Sequence, residues 1–246
     1  MNYVISDLHG CYDDFLQMLE LINLSEEDNL FIIGDVVDRG AASVKLLQYL
    51  MKHSNMRLLL GNHDWFMMTV LNKLPIDVTA DNFKEYLNGS AGFFNVYTNW
   101  IYNGGGPTLN EYFDLSVPEI TDILNFLNSL LYYYELTVEN QDYILVHSVP
   151  GGYSDSFDKK KPLPDYELFD LIFSRIDDDK WGEYYYDDKI LIVGHTPTLI
   201  IDKEYTGKIY KREKIINIDC GCVFKYRNED TKLGCLRLED MKEYYV

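Results

Sequence analysis

The fold is decided by a ten-residue stretch near the start of the chain, Phe31-Ile32-Ile33-Gly34-Asp35-Val36-Val37-Asp38-Arg39-Gly40. Its first three residues are apolar, and such a run predicts a strand that is buried on both faces. In open α/β sheets, the residues just beyond the carboxyl end of a strand line the ligand crevice. We therefore expect Asp35, Asp38 and Arg39 to lie together at the mouth of a site, where a metal ion would balance the two carboxylates. The alternative is an ordinary loop, and the rest of the chain decides between the two.

The composition indicates a folded and strongly acidic protein. The chain has 246 residues, of which 47% are hydrophobic, enough for one large domain or two small ones with a packed core. Forty acidic residues against 22 basic ones give a formal net charge of −18. This charge argues against binding to nucleic acids and to anionic membrane surfaces. A phosphate-bearing substrate would have to be attracted by local positive charge.

Nothing in the sequence predicts export or membrane insertion. Residues 1–6 lack the basic start and apolar length of a signal peptide, and no apolar run approaches the roughly 20 residues of a membrane helix. The four cysteines are scattered and form no disulfide framework. Cys220 and Cys222 are expected to alternate along a strand as small core residues rather than to share a metal. We therefore expect a cytoplasmic location.

Three strand-turn-helix units follow one another at the start of the chain. Strands are predicted at Asn2–Ser6, Phe31–Ile33 and Met56–Leu60, and amphipathic helices at Tyr12–Asn23 and Ala42–Lys52. A third helix is predicted to begin directly after the third strand. Polar residues stand at the end of each strand: Asp7-Leu8-His9, Asp35, and Asn62-His63-Asp64. This repetition is the main organisational signal in the sequence.

Two later strands end in the same way. Tyr143–Val146 is followed by His147, and Ile190–Val193 is followed by Gly194-His195. Short strands are also predicted at Leu199–Asp202, Lys208–Tyr210, Ile215–Asp219 and Leu233–Leu238. Residues 74–131 are expected to form a mostly helical flank, and residues 151–180 an excursion over the surface. Because no linker interrupts the pattern, residues 1–246 are predicted to form a single domain.

The distribution of histidines favours a metal site. Four of the five follow a predicted strand end, whereas His53 is expected on the surface of a helix. With nearby carboxylates and an asparagine, they form a donor set that suits Mn, Fe or Zn better than a cysteine-type structural zinc. The set is Asp7, His9, Asp35, Asn62, His63, His147 and His195. Its size is about right for two ions, and a carboxylate between two ions about 3.5–4 Å apart is typical of phosphoryl hydrolysis. Asp35 is the candidate for that position.

Five motifs, in this order, resemble the signature of the calcineurin-like metallophosphoesterases. They are Ser6-Asp7-Leu8-His9-Gly10, Gly34-Asp35-Val36-Val37-Asp38-Arg39-Gly40, Gly61-Asn62-His63-Asp64, Val146-His147 and Gly194-His195-Thr196-Pro197. Their pattern is most similar to the phosphoprotein phosphatase branch, with its bacterial and phage serine/threonine phosphatases related to the lambda phage phosphatase. The resemblance covers Met1 to about Phe224. It implies an α/β (α+β) fold, a two-sheet β-sandwich flanked by helices.

The resemblance also implies a role for each site residue. Two divalent ions would be bound, with Mn²⁺ as the first choice and Fe, Zn, Ni or Mg as alternatives. Asp7, His9 and Asp35 would hold one ion, and Asp35, Asn62, His147 and His195 the other. A hydroxide bridging the ions would attack phosphorus in line, and His63, oriented by Asp38, would protonate the leaving group. Arg39 and Arg175 would bind the phosphoryl oxygens, with Asn62 beside them.

The implied activity is phosphomonoester hydrolysis, most directly that of a serine/threonine protein phosphatase acting on a phosphoprotein or a phosphorylated small molecule. The alternative is a diadenosine tetraphosphatase or another nucleotide phosphohydrolase of the same fold. Asp64, in place of the commoner glutamate, is a variant found in diadenosine tetraphosphate hydrolases, but those relatives generally lack the Asp38-Arg39 pair. Arg175 departs from the pattern, because Phe173 stands where the family has tryptophan. A non-catalytic binding module is disfavoured, because no ligand position is lost.

Overall fold

The computed structural model describes residues 1–87, 91–150, 167–176, 188–228 and 230–246. Most of the expected surface excursion at 151–180 lies outside the described residues. Within them there are ten strands: β1 (Asn2–Ile5), β2 (Asn29–Ile32), β3 (Met56–Leu58), β4 (Tyr133–Val138), β5 (Gln141–Val146), β6 (Ile190–Val193), β7 (Tyr210–Arg212), β8 (Ile215–Asn217), β9 (Gly234–Arg237) and β10 (Lys242–Tyr245).

The same residues contain nine α-helices: α1 (Tyr12–Ile22), α2 (Ser43–Leu50), α3 (Asn62–Leu71), α4 (Phe83–Leu87), α5 (Ala91–Tyr102), α6 (Gly106–Phe113), α7 (Val117–Asn128), α8 (Leu168–Ile172) and α9 (Thr198–Ile201). Five of them, α3 to α7, lie between β3 and β4. Helix α5 packs on α3, α6 packs on α2, and α7 packs on α3. Of the described helices, none combines the length and the hydropathy that crossing a bilayer requires.

The strands form two five-stranded mixed sheets. The first has the order β10-β9-β1-β2-β3, and the second has the order β4-β5-β6-β8-β7. In each sheet three neighbouring strands are parallel: β1, β2 and β3 in the first, and β5, β6 and β8 in the second. The remaining strands pair in antiparallel fashion. The six parallel strands matter most for function, because their carboxyl ends carry the candidate site.

Both faces of the central strands are buried, which agrees with the apolar run that predicted them. Successive side chains of a strand point to opposite faces. Val4 and Phe31 pack between the sheets, against Leu145 and Ile192 of the second sheet. The reverse face of the first sheet is covered by α1, α2 and α3, and that of the second sheet by α8. The predicted two-sheet β-sandwich flanked by helices is therefore confirmed.

One predicted strand is wrong. Leu199–Asp202 reads as an apolar strand, but the chain forms helix α9 there, and Ile200 is 63% exposed. The turn is fixed by tertiary contacts that a local pattern cannot report. The Thr198 N–H donates to the Asp219 carbonyl at 2.9 Å, and the Thr198 hydroxyl donates to the Tyr205 carbonyl at 2.9 Å.

Smaller differences concern the end of the chain. The strand expected at Lys208–Tyr210 is displaced to β7, and β4 and β10 were not predicted. Cys220 and Cys222 do not lie on a strand, because Gly221 between them has a φ of 79° and a 3-10 turn follows. They nevertheless pack into different parts of the core. His53 is half-buried and stacks on Tyr49 rather than lying free on the surface. The assignment of the whole chain to a single domain stays a prediction.

Candidate active site

The parallel strands deliver the predicted site residues to one region. Asp7 follows β1, Asp35 follows β2, and Asn62 begins α3 directly after β3. From the second sheet, His147 follows β5 and His195 follows β6. All five are buried. The carboxyl end of the sixth parallel strand, β8, leads to a further buried acid, Asp219, which the sequence reasoning did not include in the site.

The turns that carry these residues have an uncommon backbone conformation. A positive φ is found at six predicted site residues: Asp7, His9, Asp35, Asp38, Arg39 and His195. For residues other than glycine, the left-handed region costs about 1–2 kcal/mol each. The turns after β1 and β2 hold one another in place, because the Asp7 N–H donates to the Gly34 carbonyl at 3.1 Å and the His9 N–H donates to the Asp35 carbonyl at 2.9 Å. Such strain is characteristic of functional sites.

Close packing explains why glycine stands in two of the motifs. A Cβ on Gly34, whose φ is 93°, would lie 2.5 Å from Nδ1 of His147 and 2.7 Å from the Gly61 Cα. A Cβ on Gly61 would lie 2.3 Å from both the main-chain nitrogen and Oδ1 of Asp35. Only glycine lets these turns approach closely enough for their side chains to share a site.

Asp64 connects the turn after β2 to the start of α3. Its carboxylate accepts hydrogen bonds from the main-chain N–H groups of Asp35 at 2.8 Å, Val36 at 3.1 Å and Gly61 at 3.0 Å. Burial and the nearby charge of Asp35 raise its pKa to about 7. The sequence showed Asp64 only as a variant of a motif. Its role as an acceptor for two separate turns depends on the packing of β2 against α3, so no local signal predicts it.

Asp35 lies at the centre of the cluster. Its Oδ2 is 3.4 Å from Nε2 of His147 and 3.8 Å from Nε2 of His9. Among the described residues, three groups of side chains could each hold a cation: one is Cys11, Asp14 and Cys222, and the other two include Asp35. Of the two groups around Asp35, the first is His9, Asp35 and His63, and the second is Asp35, His147 and His195. The first of these two contains His63 where the resemblance implied Asp7.

Asp7 and Asn62 complete the set at the edges of these groups. Oδ2 of Asp7 accepts a hydrogen bond from the main-chain N–H of His195 at 3.1 Å. Oδ1 of Asn62 lies 3.0 Å from Nε2 of His147. The structure therefore brings together all six residues that the sequence proposed as metal ligands.

The ring nitrogens are arranged as in metal-binding imidazoles, which commonly donate their other N–H to a backbone carbonyl. Nδ1 of His9 is 2.9 Å from the Val37 carbonyl, and Nδ1 of His147 is 2.8 Å from the Ile33 carbonyl. Each Nε2 therefore faces Asp35. With carboxylate and amide oxygens and no thiolate, this donor set fits hard or borderline divalent cations.

The electrostatics of the cluster also favour a cation. Burial raises the pKa of Asp7 to about 6, and the charge of Asp35 acts in the same direction. Burial opposes protonation of His147, but the carboxylate of Asp35 outweighs it and raises the pKa of His147 to about 10. Burial, together with the charge of Arg39, lowers the pKa of His9 well below its usual value. A neutral His9 has a ring-nitrogen lone pair that can bind a cation. The buried carboxylates beside it need positive charge for balance.

His63 also takes part in a second hydrogen-bonded group, with Asp38 and Trp100. Its Nδ1 is 2.7 Å from Oδ2 of Asp38, and both side chains are buried. The indole N–H of Trp100 donates to both carboxylate oxygens of Asp38, at 3.0 and 2.9 Å. Trp100 lies near the end of α5, and the sequence reasoning did not assign it a role. The sequence predicted a helical segment that contains Trp100, but nothing in it indicated that the indole N–H would contact Asp38.

Arg39 spans the two imidazoles. Its guanidinium donates to Nε2 of His9 at 2.9 Å and to Nε2 of His63 at 2.8 Å. Its main-chain N–H donates to the Gly104 carbonyl at 2.9 Å, and its Nε lies 3.4 Å from the Asn103 carbonyl. The glycine-rich segment after α5 therefore positions an arginine.

Arg175 is placed less closely. It is exposed and follows α8, and its positive charge is one of the influences that lower the pKa of His195, after burial and His147. Nε2 of His195 is 3.2 Å from the Phe173 carbonyl, so the chain around Arg175 borders the cluster. Among the described residues, no side chain forms a hydrogen bond with Arg175.

A sequence profile of the calcineurin-like phosphoesterases matches residues 3–214. The chain belongs to this family. Members of this family are phosphoesterases, hydrolases that use a dinuclear metal centre, and the clusters around Asp35 supply possible ligands for such a centre.

Curated relatives resemble only part of the chain. The symmetrical bis(5′-nucleosyl)-tetraphosphatase of Proteus mirabilis is 36% identical over 102 residues, which are 41% of this chain and 37% of that protein. The protein of the same name from Salmonella paratyphi B is 40% identical over 102 residues, 41% of this chain and 36% of the relative. The match thus spans little more than a third of the length of these relatives.

Solved structures share the fold over the whole chain at low identity. A provisionally named diadenosine tetraphosphatase superposes with a TM-score of 0.66 at 14% identity. The superposition covers 100% of this chain and 92% of that protein's chain. A serine/threonine phosphatase from Saccharomyces cerevisiae gives a TM-score of 0.55 at 14% identity, with 100% and 78% covered. At these identities the likeness concerns the fold alone.

Proposed function

We propose that this chain is a metal-dependent phosphohydrolase that cleaves dinucleoside polyphosphates, with diadenosine tetraphosphate as the type substrate. The observation that carries the proposal is the buried carboxylate-imidazole cluster around Asp35, with the Arg39 guanidinium directly beside it. The Asp38-Arg39 pair favours phosphoproteins as substrates. The curated relatives are named as symmetrical bis(5′-nucleosyl)-tetraphosphatases, and we therefore favour dinucleoside polyphosphates.

Two divalent ions would be held by the predicted ligands. Asp7, His9 and Asp35 would bind one, and Asp35, Asn62, His147 and His195 the other, with Mn²⁺ as the first choice. When bound, the ions would supply Lewis-acid activation of the attacking water and would compensate phosphate charge. Because the Arg39 guanidinium donates to Nε2 of His9, it would have to leave that atom when an ion binds there.

The remaining roles fall to residues at the opening. Arg39 has two N–H groups on one side of its fork, which suits bidentate contact with phosphoryl oxygens. Arg175 would add a second positive charge, and Asn62 would contact the same phosphate. In symmetrical hydrolysis, water attacks one of the two inner phosphorus atoms, and the bond between that phosphorus and the central bridging oxygen breaks. Two molecules of nucleoside diphosphate form, and two protons pass to the solvent.

A second function is favoured by one contact. The Asp38 carboxylate, 2.7 Å from Nδ1 of His63, orients the imidazole, and Nε2 would give a proton to a leaving group once the Arg39 guanidinium that donates to it has moved to the phosphate. A serine alkoxide is a poor leaving group and needs that proton, whereas a nucleoside diphosphate leaves as a stable anion. The His63–Asp38 pair therefore supports hydrolysis of phosphate monoesters, including those of phosphoserine and phosphothreonine.

The test compares substrates on one preparation. The protein is stripped of metal, and Mn²⁺ is titrated back with diadenosine tetraphosphate, a phosphoserine peptide and para-nitrophenyl phosphate as substrates. We expect the highest kcat/KM for diadenosine tetraphosphate, with ADP as its only nucleotide product. Asp35→Asn serves as the inactive control against a contaminating phosphatase.

Each other outcome is informative. ATP and AMP in equal amounts would overturn the symmetrical cleavage. Efficient hydrolysis of the phosphopeptide without cleavage of the dinucleotide would replace the first function by the second. Loss of all three activities at every metal concentration would overturn both functions.

A further inference from the structure

A cavity lies beside the metal-ligand cluster and is bounded at its inner end by Arg39. Its volume is about 510 Å³, within the range of about 300–1,000 Å³ that is usual for small-molecule sites. It is lined by Tyr102 at the end of α5 with the following Asn103, and by Phe224, Tyr226 and Arg227 after β8. The cavity therefore extends from the cluster between two segments of the chain that the metal site itself does not use.

The two tyrosines of this cavity are unusually accessible. Tyr102 is 91% exposed and Tyr226 is 86% exposed, and both line the cavity from segments that are distant in the sequence. Large side chains with this exposure contribute little to the stability of the fold, since they bury almost no apolar surface. Aromatic rings beside a positively charged groove are what proteins use to stack nucleic-acid bases.

The cavity also concentrates positive charge in an acidic protein. Arg39 lies at its inner end and Arg227 lines it as well, against a formal net charge of −18 for the chain. Within the part of the chain that the structure describes, the Arg227 guanidinium has no carboxylate partner. Arginine suits phosphate recognition because its planar fork matches phosphate oxygens.

These features fit a ligand that combines phosphates with a flat aromatic ring. We propose that Tyr102, Tyr226 and Arg227 form a nucleoside subsite, in which a base stacks on a tyrosine ring and Arg227 binds a phosphate distant from the bond that is cleaved. The subsite rests on the proposed function, because its ligand is one half of a dinucleoside polyphosphate. It gives that function a basis for choosing nucleotides over simple phosphate esters.

The experiment compares the double variant Tyr102→Ala/Tyr226→Ala and the single variant Arg227→Ala with the unchanged protein. Steady-state kinetics are measured with diadenosine tetraphosphate and with para-nitrophenyl phosphate, which has no nucleoside. We expect the ratio of the two kcat/KM values to fall by at least about fivefold, mainly through KM for the dinucleotide, as loss of base stacking predicts. Tyr132→Ala, an exposed tyrosine that does not line the cavity, is the matched control and should leave the ratio unchanged.

A binding measurement separates the subsite from catalysis. Titration of the protein with the fluorescent nucleotide 1,N⁶-etheno-ADP, without added metal, should show weaker affinity in the double variant than in the Tyr132→Ala control. If the unchanged protein cleaves diadenosine tetraphosphate and the variants alter neither the ratio nor this affinity, the subsite is wrong and the proposed function stands. If the unchanged protein does not cleave the dinucleotide, both are wrong. A larger KM for a phosphopeptide alone would assign the cavity to a peptide and overturn the nucleoside subsite.

Discussion

Replacing Trp100 by phenylalanine would test how the acid group of the site is held. The change removes the indole N–H that donates to both carboxylate oxygens of Asp38, at 3.0 and 2.9 Å, and keeps most of the apolar surface. Trp100 and Asp38 are both fully buried, so water cannot take the place of the lost donor. His63 would remain the main partner of the carboxylate.

The expected loss follows from these contacts. A hydrogen bond to a charged group contributes about 1.5–3 kcal/mol, and the smaller ring leaves some unfilled volume. We expect the free energy of unfolding to fall by about 2–4 kcal/mol. Because Asp38 would be less firmly oriented, protonation by His63 should also weaken. A loss of about 1.4 kcal/mol in the transition state corresponds to a tenfold slower reaction.

Two assays measure these effects. Urea unfolding followed by circular dichroism gives the stability, and hydrolysis of phenyl phosphate against para-nitrophenyl phosphate gives the dependence on the leaving group. Turnover of phenyl phosphate, whose leaving group is the more basic, should fall about tenfold further. Trp65→Phe is the control, since Trp65 packs edge-on against Phe66 and Phe173 and its indole N–H has no hydrogen bond among the described residues. If both variants lose similar stability and neither changes the ratio of the substrates, Trp100 does not support the acid.

Three further substitutions probe the cluster. His63→Asn should keep bound metal but reduce turnover of alkyl phosphate esters by about 10²–10⁴-fold; an equal loss on para-nitrophenyl phosphate would contradict its role as an acid. Asp35→Asn should abolish the binding of two equivalents of Mn²⁺, measured by elemental analysis after gel filtration, because both ligand groups share this carboxylate; retention of both ions would refute the sharing. Asp64→Asn should lower the free energy of unfolding by about 2–4 kcal/mol in urea, because the amide N–H₂ would face main-chain donors at Asp35 and Gly61; unchanged stability would show that one oxygen suffices.

The candidate metal-ligand cluster could be predicted because each of its residues belongs to a short, recognisable stretch of sequence. Each ligand directly follows a short apolar run, and parallel strands of one sheet end at the same edge. His147 and Asp35 come from different sheets, yet the same rule places each at a strand end. Sequence alone therefore selected these residues as a set of candidate ligands, a role that stays a prediction, but it could not give the 3.4 Å approach between His147 and Asp35.

The misses share a different cause. Trp100 and Asp64 act through partners that are distant in the sequence, 62 residues away for the Trp100–Asp38 contact. The hairpin of β4 and β5 was also missed, although Glu139 and Asn140 at its turn both have positive φ. Positive φ at both central positions is typical of a two-residue hairpin turn, but glycine usually signals it and none is present here. In each case the interaction that determines the structure produces no periodic pattern of apolar residues in the sequence.

The same contrast applies to the substrate. The residues that would act on the phosphate lie in local motifs, whereas the residues that would select the rest of the substrate are distant from one another in the sequence. The motifs carry the residues to which we assign activation of water and binding of a phosphoryl group, and this chemistry serves phosphate esters and anhydrides alike. What distinguishes a nucleotide from a phosphopeptide must contact the part of the substrate beyond the phosphate. In the proposed subsite, Tyr102 at the end of α5 and Tyr226 after β8 would make this contact, and these two segments are far apart in the chain. We therefore expect substitutions in the two segments to change specificity while the candidate metal ligands remain the same.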